Sequence, residues 1–314
     1  MNRGLALVLV ACALAASCGG SAPPGHAGKA SAVSGSAAAS TAPPPRSPSP
    51  EPPGSAGEVL PAPDTPIPAD PAGIAERLTS TTMALRDAIG AWTTEGDPST
   101  WPPPEAVQLL ALYQQRLYRA LAGEPALADA TIALLPASVA AEARSNLTAA
   151  NALASLAHVT THPNQMRTRP PAPAAALLGY YREAEQRFGV AWQVLAAVNF
   201  LESKFGRVVS ASWAGAQGPM QFMPATWAAY GMGGDVQDPR DAIMGAANYL
   251  SASGAPADYR RALYAYNPVR AYVDAVLAYA HQMMRDPRTF YAYYNWQVFV
   301  LTKNGAVRLT GPGV

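Results

Sequence analysis

Glu202, in the stretch NFLESKFGR (residues 199–207), stands where the helical pattern calls for an apolar side chain. Leu195, Val198 and Phe205 recur at helical spacing and lie on one face, and Glu202 shares that face. Burial on such a face and a position near the end of a helix both disfavour the charged carboxylate and raise its pKa. A carboxylic acid that stays protonated near neutral pH can serve as a general acid, and we predict this role for Glu202.

A structural explanation of the same glutamate competes with the catalytic one. Glu202 could form an ion pair with nearby Lys204 or Arg207, or it could sit at the edge of the apolar face and point into water. Because ion pairs also perturb carboxylates, this stretch alone leaves the choice open.

Two further segments carry polar groups suited to binding a polymeric ligand. Residues 212–227, SWAGAQGPMQFMPATW, are rich in small side chains that permit close approach of a ligand, and Gln221 brings an amide among them. In the segment AYNP, residues 265–268, Tyr266 and Asn267 precede a proline that ends a helix.

Four separated motifs together resemble a family of enzymes. The patterns LESxFGR, SWAGAxGPMQFMPxTW, DPxDAIxxAAxYL and AYNP, with Tyr272 and Val273 beyond, occur in this order and at suitable spacing. Over roughly residues 174–284 the chain resembles a peptidoglycan lytic transglycosylase of the membrane-bound B-type (glycoside hydrolase 103-like) group. The resemblance implies a mainly α, lysozyme-like catalytic domain.

The resemblance also implies residue roles. Glu202 would protonate the bond between N-acetylmuramic acid and N-acetylglucosamine, and its carboxylate would then deprotonate the muramyl 6-hydroxyl to give a 1,6-anhydro end. Ser212 and Gln221 match positions that bind the sugars, and Tyr266 and Asn267 match the pair that closes the cleft. Ser203 is expected to orient its surroundings. Gln217 stands at a position where many members of that family have an apolar residue. No second carboxylate is evident, as a substrate-assisted reaction permits.

Two other functions remain open. A hydrolysing muramidase would use Asp235 or Asp238 to hold a water, although Asp238 also fits a helix N-cap. A catalytically silent cell-wall-binding lipoprotein would not need a buried acid. We predict no cofactor and no metal, because the chain lacks a DxDxDG calcium loop and its four histidines lack ligand spacing.

The elements that must position these residues are predicted to be helical. Leu78, Leu85, Ile89 and Trp92 define one amphipathic face, and the run EAVQLLALYQQRLYRAL defines a second. Gly189 and Gly206 are placed to end helices, and Asp238 and Asp258 to begin them. The alternation around 296–301 and the Asn-Gly dipeptide at 304–305 predict a β-hairpin. We predict a helical region of unknown role at 71–170, the catalytic domain at 171–286 and a C-terminal hairpin extension at 287–314.

The first 18 residues are typical of a lipoprotein signal peptide. A short apolar run ends in LAASCG, which resembles a bacterial lipobox with Cys18 as the lipidated residue, and an ordinary signal peptide is the alternative. The only other cysteine, Cys12, lies within the apolar run, so no disulfide is expected. Residues 19–70, rich in Ala, Ser, Gly and Pro, are predicted to form a disordered linker.

The net charge of the chain indicates which classes of binding partner to expect. The net charge is +1 and charged residues make up 14% of the chain, which argues against a nucleic-acid or polybasic membrane partner. The expected partners are peptidoglycan glycan strands and, through the lipid, a membrane; the sequence names no protein partner. The protein is expected to be exported, either lipid-anchored on the outer side of the cytoplasmic membrane or secreted to the cell wall.

Overall fold

The computed structural model describes residues 59–212 and 214–314. Cys18, the predicted signal peptide and most of the predicted linker lie outside the described residues. The described elements are α1 (Pro71–Thr94), α2 (Glu105–Leu121), α3 (Pro125–Ala133), α4 (Ala137–Ala154), α5 (Ala174–Phe188), α6 (Trp192–Ser203), α7 (Pro224–Tyr230), α8 (Pro239–Ala252), α9 (Tyr259–Tyr266), α10 (Arg270–Arg285), α11 (Arg288–Tyr294), β1 (Phe299–Thr302) and β2 (Gly305–Arg308). The prediction of a mainly α fold with a C-terminal hairpin is confirmed.

The N-terminal helices form where the apolar periodicity placed them. The four residues assigned to one face of α1 are all buried, and α2 coincides with the second amphipathic run. Pro125 occupies the first turn of α3, where its missing N–H costs no hydrogen bond. None of the helices in the described portion is long and apolar enough to cross a membrane.

The ordered chain begins before the predicted end of the linker at Asp70. The Tyr113 hydroxyl donates to the carbonyl oxygen of Pro66 at 3.1 Å, and Arg116 Nη1 donates to those of Pro63 and Thr65 at 3.0 and 2.8 Å. These bonds satisfy carbonyls that a chain without regular structure would otherwise leave to water. The segment from Pro63 to Pro66 therefore packs along α2.

Helix α6 lies at the centre of the C-terminal half. Every residue from Val194 to Ser203 is buried, so the helix is enclosed on all sides and does not present the single apolar stripe that the spacing suggested. Helix α10 packs against α6 and also against α4, and one continuous apolar core joins these helices. The carboxyl of Glu202 therefore lies in a helix whose surroundings exclude solvent.

Three of the four predicted helix boundaries are confirmed. Gly189 caps α5 at a φ of 72°, in the left-handed region that glycine enters at little cost. Asp238 accepts a hydrogen bond from the Asp241 amide at the start of α8, and Asp258 accepts one from the Arg261 amide at the start of α9.

The C-terminal residues combine a helix with the predicted hairpin. Helix α11 precedes the hairpin, in which Phe299 pairs with Arg308 and Thr302 with Gly305. The turn lies at residues 303–304, one position before the predicted Asn-Gly pair, and Gly305 begins β2 with a φ of 107°.

Candidate active site

The Glu202 carboxyl is buried at the end of α6. Only 4% of the residue is exposed, and the helix ends one residue later, at Ser203. Lys204 and Phe205 both adopt left-handed conformations, with φ of 54° and 61°, so the helix ends three residues before Gly206. The prediction that Gly206 ends this helix is wrong, because two non-glycine residues accept a conformation that costs about 1–2 kcal/mol each.

Burial gives Glu202 the protonation state of a general acid. It raises the pKa of the carboxyl to about 8, and a hydrogen bond from Tyr272 partly offsets the rise by lowering it. At neutral pH the group is therefore mostly a neutral acid. It can donate a proton and, once deprotonated, take one back.

The two basic neighbours do not pair with Glu202. Lys204 Nζ donates to the carbonyl oxygen of Phe200 at 3.1 Å and lies over the Phe200 ring. Arg207 donates to the carbonyl oxygen of Lys204 at 3.3 Å and faces the Tyr294 ring. An ion pair would have lowered the pKa of Glu202. The structural alternative for this glutamate is thus disfavoured.

Tyr272, near the start of α10, is the direct partner of the Glu202 carboxyl. Its hydroxyl donates to Glu202 Oε1 at 2.7 Å. Burial, followed by the Glu202 charge, raises the pKa of Tyr272 well above its ordinary value, so the hydroxyl keeps its proton. Sequence reasoning recorded Tyr272 beside a motif but gave it no role. Only the packing of α10 on α6 brings it to the acid.

A side-chain network fixes residues 217–222, here called the cleft loop, to α6. Asn199 Nδ2 and Ser203 Oγ donate to the carbonyl oxygen of Pro219 at 2.7 and 2.5 Å. The Tyr181 hydroxyl donates to Asn199 Oδ1 at 2.6 Å, and the Gly206 amide donates to Ser203 Oγ at 2.8 Å. The network supports the expectation that Ser203 orients its surroundings. It also holds the loop beside the helix turn that carries Glu202.

Gln221, in the cleft loop, has an unpartnered buried oxygen. Its Nε2 donates to the carbonyl oxygen of Gly218 at 3.0 Å, while Oε1 has no partner among the described residues. The residue is 8% exposed and holds a φ of 50°. A Cβ added at Gly218 would lie 1.8 Å from the carbonyl oxygen of Val236. Only glycine therefore fits where the cleft loop passes the backbone of Val236.

Tyr266 and Asn267, at the end of α9, lie against the cleft loop through the Tyr266 hydroxyl. The Tyr266 hydroxyl donates to the carbonyl oxygen of Met220 at 2.7 Å. Burial and then the nearby Glu202 charge raise the pKa of Tyr266 well above its ordinary value. Asn267 is 8% exposed, and its Oδ1 has no partner among the described residues. Two buried amide oxygens, on Gln221 and Asn267, are therefore unpartnered on elements that hold the acid, and buried polar groups are rarely left so.

Ser212 is the predicted site residue that the structure does not tie to the acid. Its Oγ accepts from the Ala216 amide at 2.8 Å, and its carbonyl accepts from the Gly215 amide. Among the described residues its hydrogen bonds stay within this turn. Gln217 pairs through its backbone with Phe222 across the cleft loop.

The aspartates considered for a hydrolytic water have local structural partners. Asp238 Oδ1 caps α8, and Asp235 Oδ1 accepts from the Gln237 amide at 2.8 Å. Across residues 59–212 and 214–314, no three His, Cys, Asp or Glu side chains are grouped so that they could hold a metal ion.

The region around Glu202 matches a known protein family. Residues 179–285 match the model of the Transglycosylase SLT domain. This segment of the chain is similar to a transglycosylase SLT domain. The match covers α6, the cleft loop, α9 and all of α10. It supports an enzyme of the lytic transglycosylase and lysozyme-like class, which cleaves peptidoglycan. No curated protein and no solved structure matched the chain.

Proposed function

We propose that the SLT domain cleaves the bond between N-acetylmuramic acid and N-acetylglucosamine without consuming water, with Glu202 as acid and then base. The neutral carboxyl protonates the glycosidic oxygen as the bond to the muramyl anomeric carbon breaks. The muramyl 6-hydroxyl then bonds to that carbon, and its proton passes to the Glu202 carboxylate. The glycan ends in a 1,6-anhydro ring, and the acid is restored.

A single observation carries the proposal: the domain holds a buried glutamate whose pKa is raised to about 8. One carboxyl with a pKa near the working pH can perform both proton transfers. The Tyr272 hydroxyl is positioned to hold Oε1 in both protonation states. The order of the four motifs favours the B-type group within the lytic transglycosylases.

Gln221, Asn267, Tyr266 and Ser212 are proposed to bind the sugars. The unpartnered oxygens of Gln221 and Asn267 are acceptors for sugar hydroxyl and N-acetyl N–H groups. Tyr266 holds the cleft loop through Met220, and Ser212 presents a half-buried hydroxyl whose proton is free to donate.

Neither alternative function gains an observation in its favour. The hydrolytic alternative needs a second carboxylate beside the scissile bond, and Asp235 and Asp238 are engaged in a turn and a helix cap. A silent wall-binding protein would retain a buried carboxyl that lowers stability without a benefit.

The products of peptidoglycan digestion test the proposed chemistry. Purified peptidoglycan is incubated with the protein, and the muropeptide ends are identified by mass spectrometry. Anhydro-muramyl ends are expected, and reducing muramic acid would overturn the mechanism. Glu202→Gln should lower the rate by about 100- to 10,000-fold, whereas Glu76→Gln, on exposed α1 surface, should match wild type.

We further propose that Cys18 is lipidated and that residues 19–58 tether the enzyme to the outer side of the cytoplasmic membrane. The proposal rests on the LAASCG sequence. Cys18→Ala should release the enzyme from the membrane fraction, whereas Cys12→Ala should leave it there. Unchanged fractionation of the Cys18 variant would refute lipidation.

A further inference from the structure

A cavity of about 240 Å³ has a lining that includes neither Glu202 nor the cleft loop. It is bounded by the N-terminal region, by the segment before α5, by the turn after α6 and by the residues after the hairpin. Its charged and aromatic side chains are those of Trp101, Arg169 and Arg207. No lining side chain is acidic, and Val314, the last residue described, also lines the cavity. The proposed catalytic steps use none of these three side chains.

Arg207 is a buried cation with unused hydrogen-bonding groups. It is 2% exposed, and burial lowers the pKa of its guanidinium to about 10, which still leaves it charged at neutral pH. Within the described residues the guanidinium makes one hydrogen bond, from Nη1 to the carbonyl oxygen of Lys204 at 3.3 Å. A guanidinium has five N–H donors, and a buried charge without a counter-charge is costly.

The rings of Tyr294 and Trp101, 5.1 and 5.8 Å from the Arg207 guanidinium carbon, offset part of that cost. They satisfy none of its remaining N–H donors. Among the described residues, no carboxylate lies within salt-bridge distance of this guanidinium.

Arg169 brings a second guanidinium to the same cavity. Its amide donates to the carbonyl oxygen of Arg207 at 2.9 Å, next to a bridge between Thr168 and Val208. The two arginines therefore sit on paired extended segments. Arg169 itself is exposed, so an anion entering from solvent would meet it before it reached Arg207.

We propose that this cavity binds a carboxylate, and that a peptide stem of peptidoglycan supplies it. Planar guanidinium groups bind carboxylates through paired charge-assisted hydrogen bonds. Trp101 and Leu309 add apolar surface suited to a small aliphatic side chain such as that of alanine. The identity of the peptide rests on the function proposed above, whereas the carboxylate site does not.

Chain length limits how far the cavity residue Arg207 can lie from Glu202. Arg207 follows Glu202 by five residues, and five residues span at most about 18 Å. An extended stem of four residues covers roughly 13–14 Å from the muramic acid that carries it. The largest separation that the chain permits between Glu202 and Arg207 thus exceeds the length of the stem by only about 4 Å.

Binding of an isolated stem tests the site independently of catalysis. The probes are a tetrapeptide stem ending in D-alanine, the same peptide with its free carboxylates amidated, acetate and inorganic phosphate, each titrated calorimetrically into the full chain. Because the peptide has no glycosidic bond, its binding does not depend on Glu202 chemistry. We expect the free peptide to bind, and the amidated peptide to bind at least about tenfold more weakly.

Variants separate the site from general charge effects. Arg169→Gln should weaken binding of the peptide by about tenfold, while Arg167→Gln, an exposed neighbour outside the cavity lining, should match wild type. Arg207→Gln should abolish binding, with a thermal melt confirming that it folds; if it does not fold, Arg169→Gln decides.

Three outcomes would overturn the inference. These are no binding of the free peptide, equal binding of its amidated form, and an Arg169→Gln affinity equal to wild type. Acetate or phosphate binding as tightly as the peptide would refute the stem as its source. Anhydro products without peptide binding would reject this site alone, and peptide binding with reducing products would reject the transglycosylase mechanism alone.

Discussion

Tyr272 and Glu202, 70 positions apart in the chain, are joined by a hydrogen bond of 2.7 Å inside the protein. The bond links α10 to α6 at the point where the acid lies. Among the described residues, this hydrogen bond is what opposes the effect of burial on the Glu202 pKa. The acid strength of the site is thus set by two packed helices.

Activity should depend on pH through Glu202. Because the pKa of the carboxyl is about 8, the protonated form that starts the reaction persists through neutral pH and is lost above it. We expect kcat/KM to fall on the alkaline side with an apparent pKa near 8. Initial rates from pH 5 to 10 on soluble glycan strands measure this, and an alkaline limb centred near pH 5 would contradict it.

Stability should also depend on pH through Glu202, in a predictable direction. The folded-state pKa lies above the ordinary value of 4.5, so between pH 4.5 and about 8 the folded protein holds a proton that the unfolded chain has lost. The free energy of unfolding therefore falls as pH rises through this window, by up to about 1.4 kcal/mol per pH unit.

The Glu202→Gln variant isolates that contribution. A neutral amide has no proton to lose, so the difference in the free energy of unfolding between variant and wild type should shift in favour of the variant from pH 5 to pH 8. Urea denaturation at the two pH values measures the difference. A pH-independent difference would show that the carboxyl is not buried in its neutral form.

Tyr272→Phe removes the one hydroxyl that, among the described residues, hydrogen-bonds the Glu202 carboxyl. Because this hydrogen bond lowers the pKa of Glu202, its loss should move the alkaline limb to higher pH. The rate should fall by about tenfold, since one charge-assisted hydrogen bond is lost. Tyr113→Phe removes a tyrosine hydrogen bond on α2 and should leave the pH profile unchanged. A shift of the limb to lower pH in Tyr272→Phe would refute this role.

Gln221→Ala and Asn267→Ala should impair cleavage more than stability. Their buried oxygens have no partner within the described protein, so their removal relieves unsatisfied polar groups. We expect kcat/KM to fall by roughly 10- to 100-fold with the free energy of unfolding changed by less than about 1 kcal/mol.

Gln217→Ala is the matched control, because Gln217 lies in the same loop and pairs through its backbone. Steady-state rates and urea denaturation on the three variants make the comparison. Losses of stability that account for the losses of activity would assign Gln221 and Asn267 to folding instead of binding.

The long periodic helices, and the burial and raised pKa of Glu202, were predictable from the sequence. The bounds of α2 follow from its apolar spacing between proline breaks, and Glu202 stood out against an apolar pattern. The end of α6 was not predictable, because Lys204 and Phe205 adopt a backbone conformation that side chains of their type rarely accept. Tyr272 was missed for a different reason: local spacing carries no information about a partner 70 residues away.

The family match spans residues 179–285, yet the packing of α10 extends past both ends of that segment. On its far side α10 lies against α4, where Gln282 donates to Asn146 at 3.0 Å. Beyond the C-terminal end of the segment, the Tyr279 ring of α10 packs edge-on against the Tyr293 ring of α11, with centroids 5.1 Å apart. A protein trimmed to the matched segment would lose both attachments and expose the apolar back of α10 to solvent. For this protein, the smallest unit worth expressing is therefore larger than the segment that matches the family model.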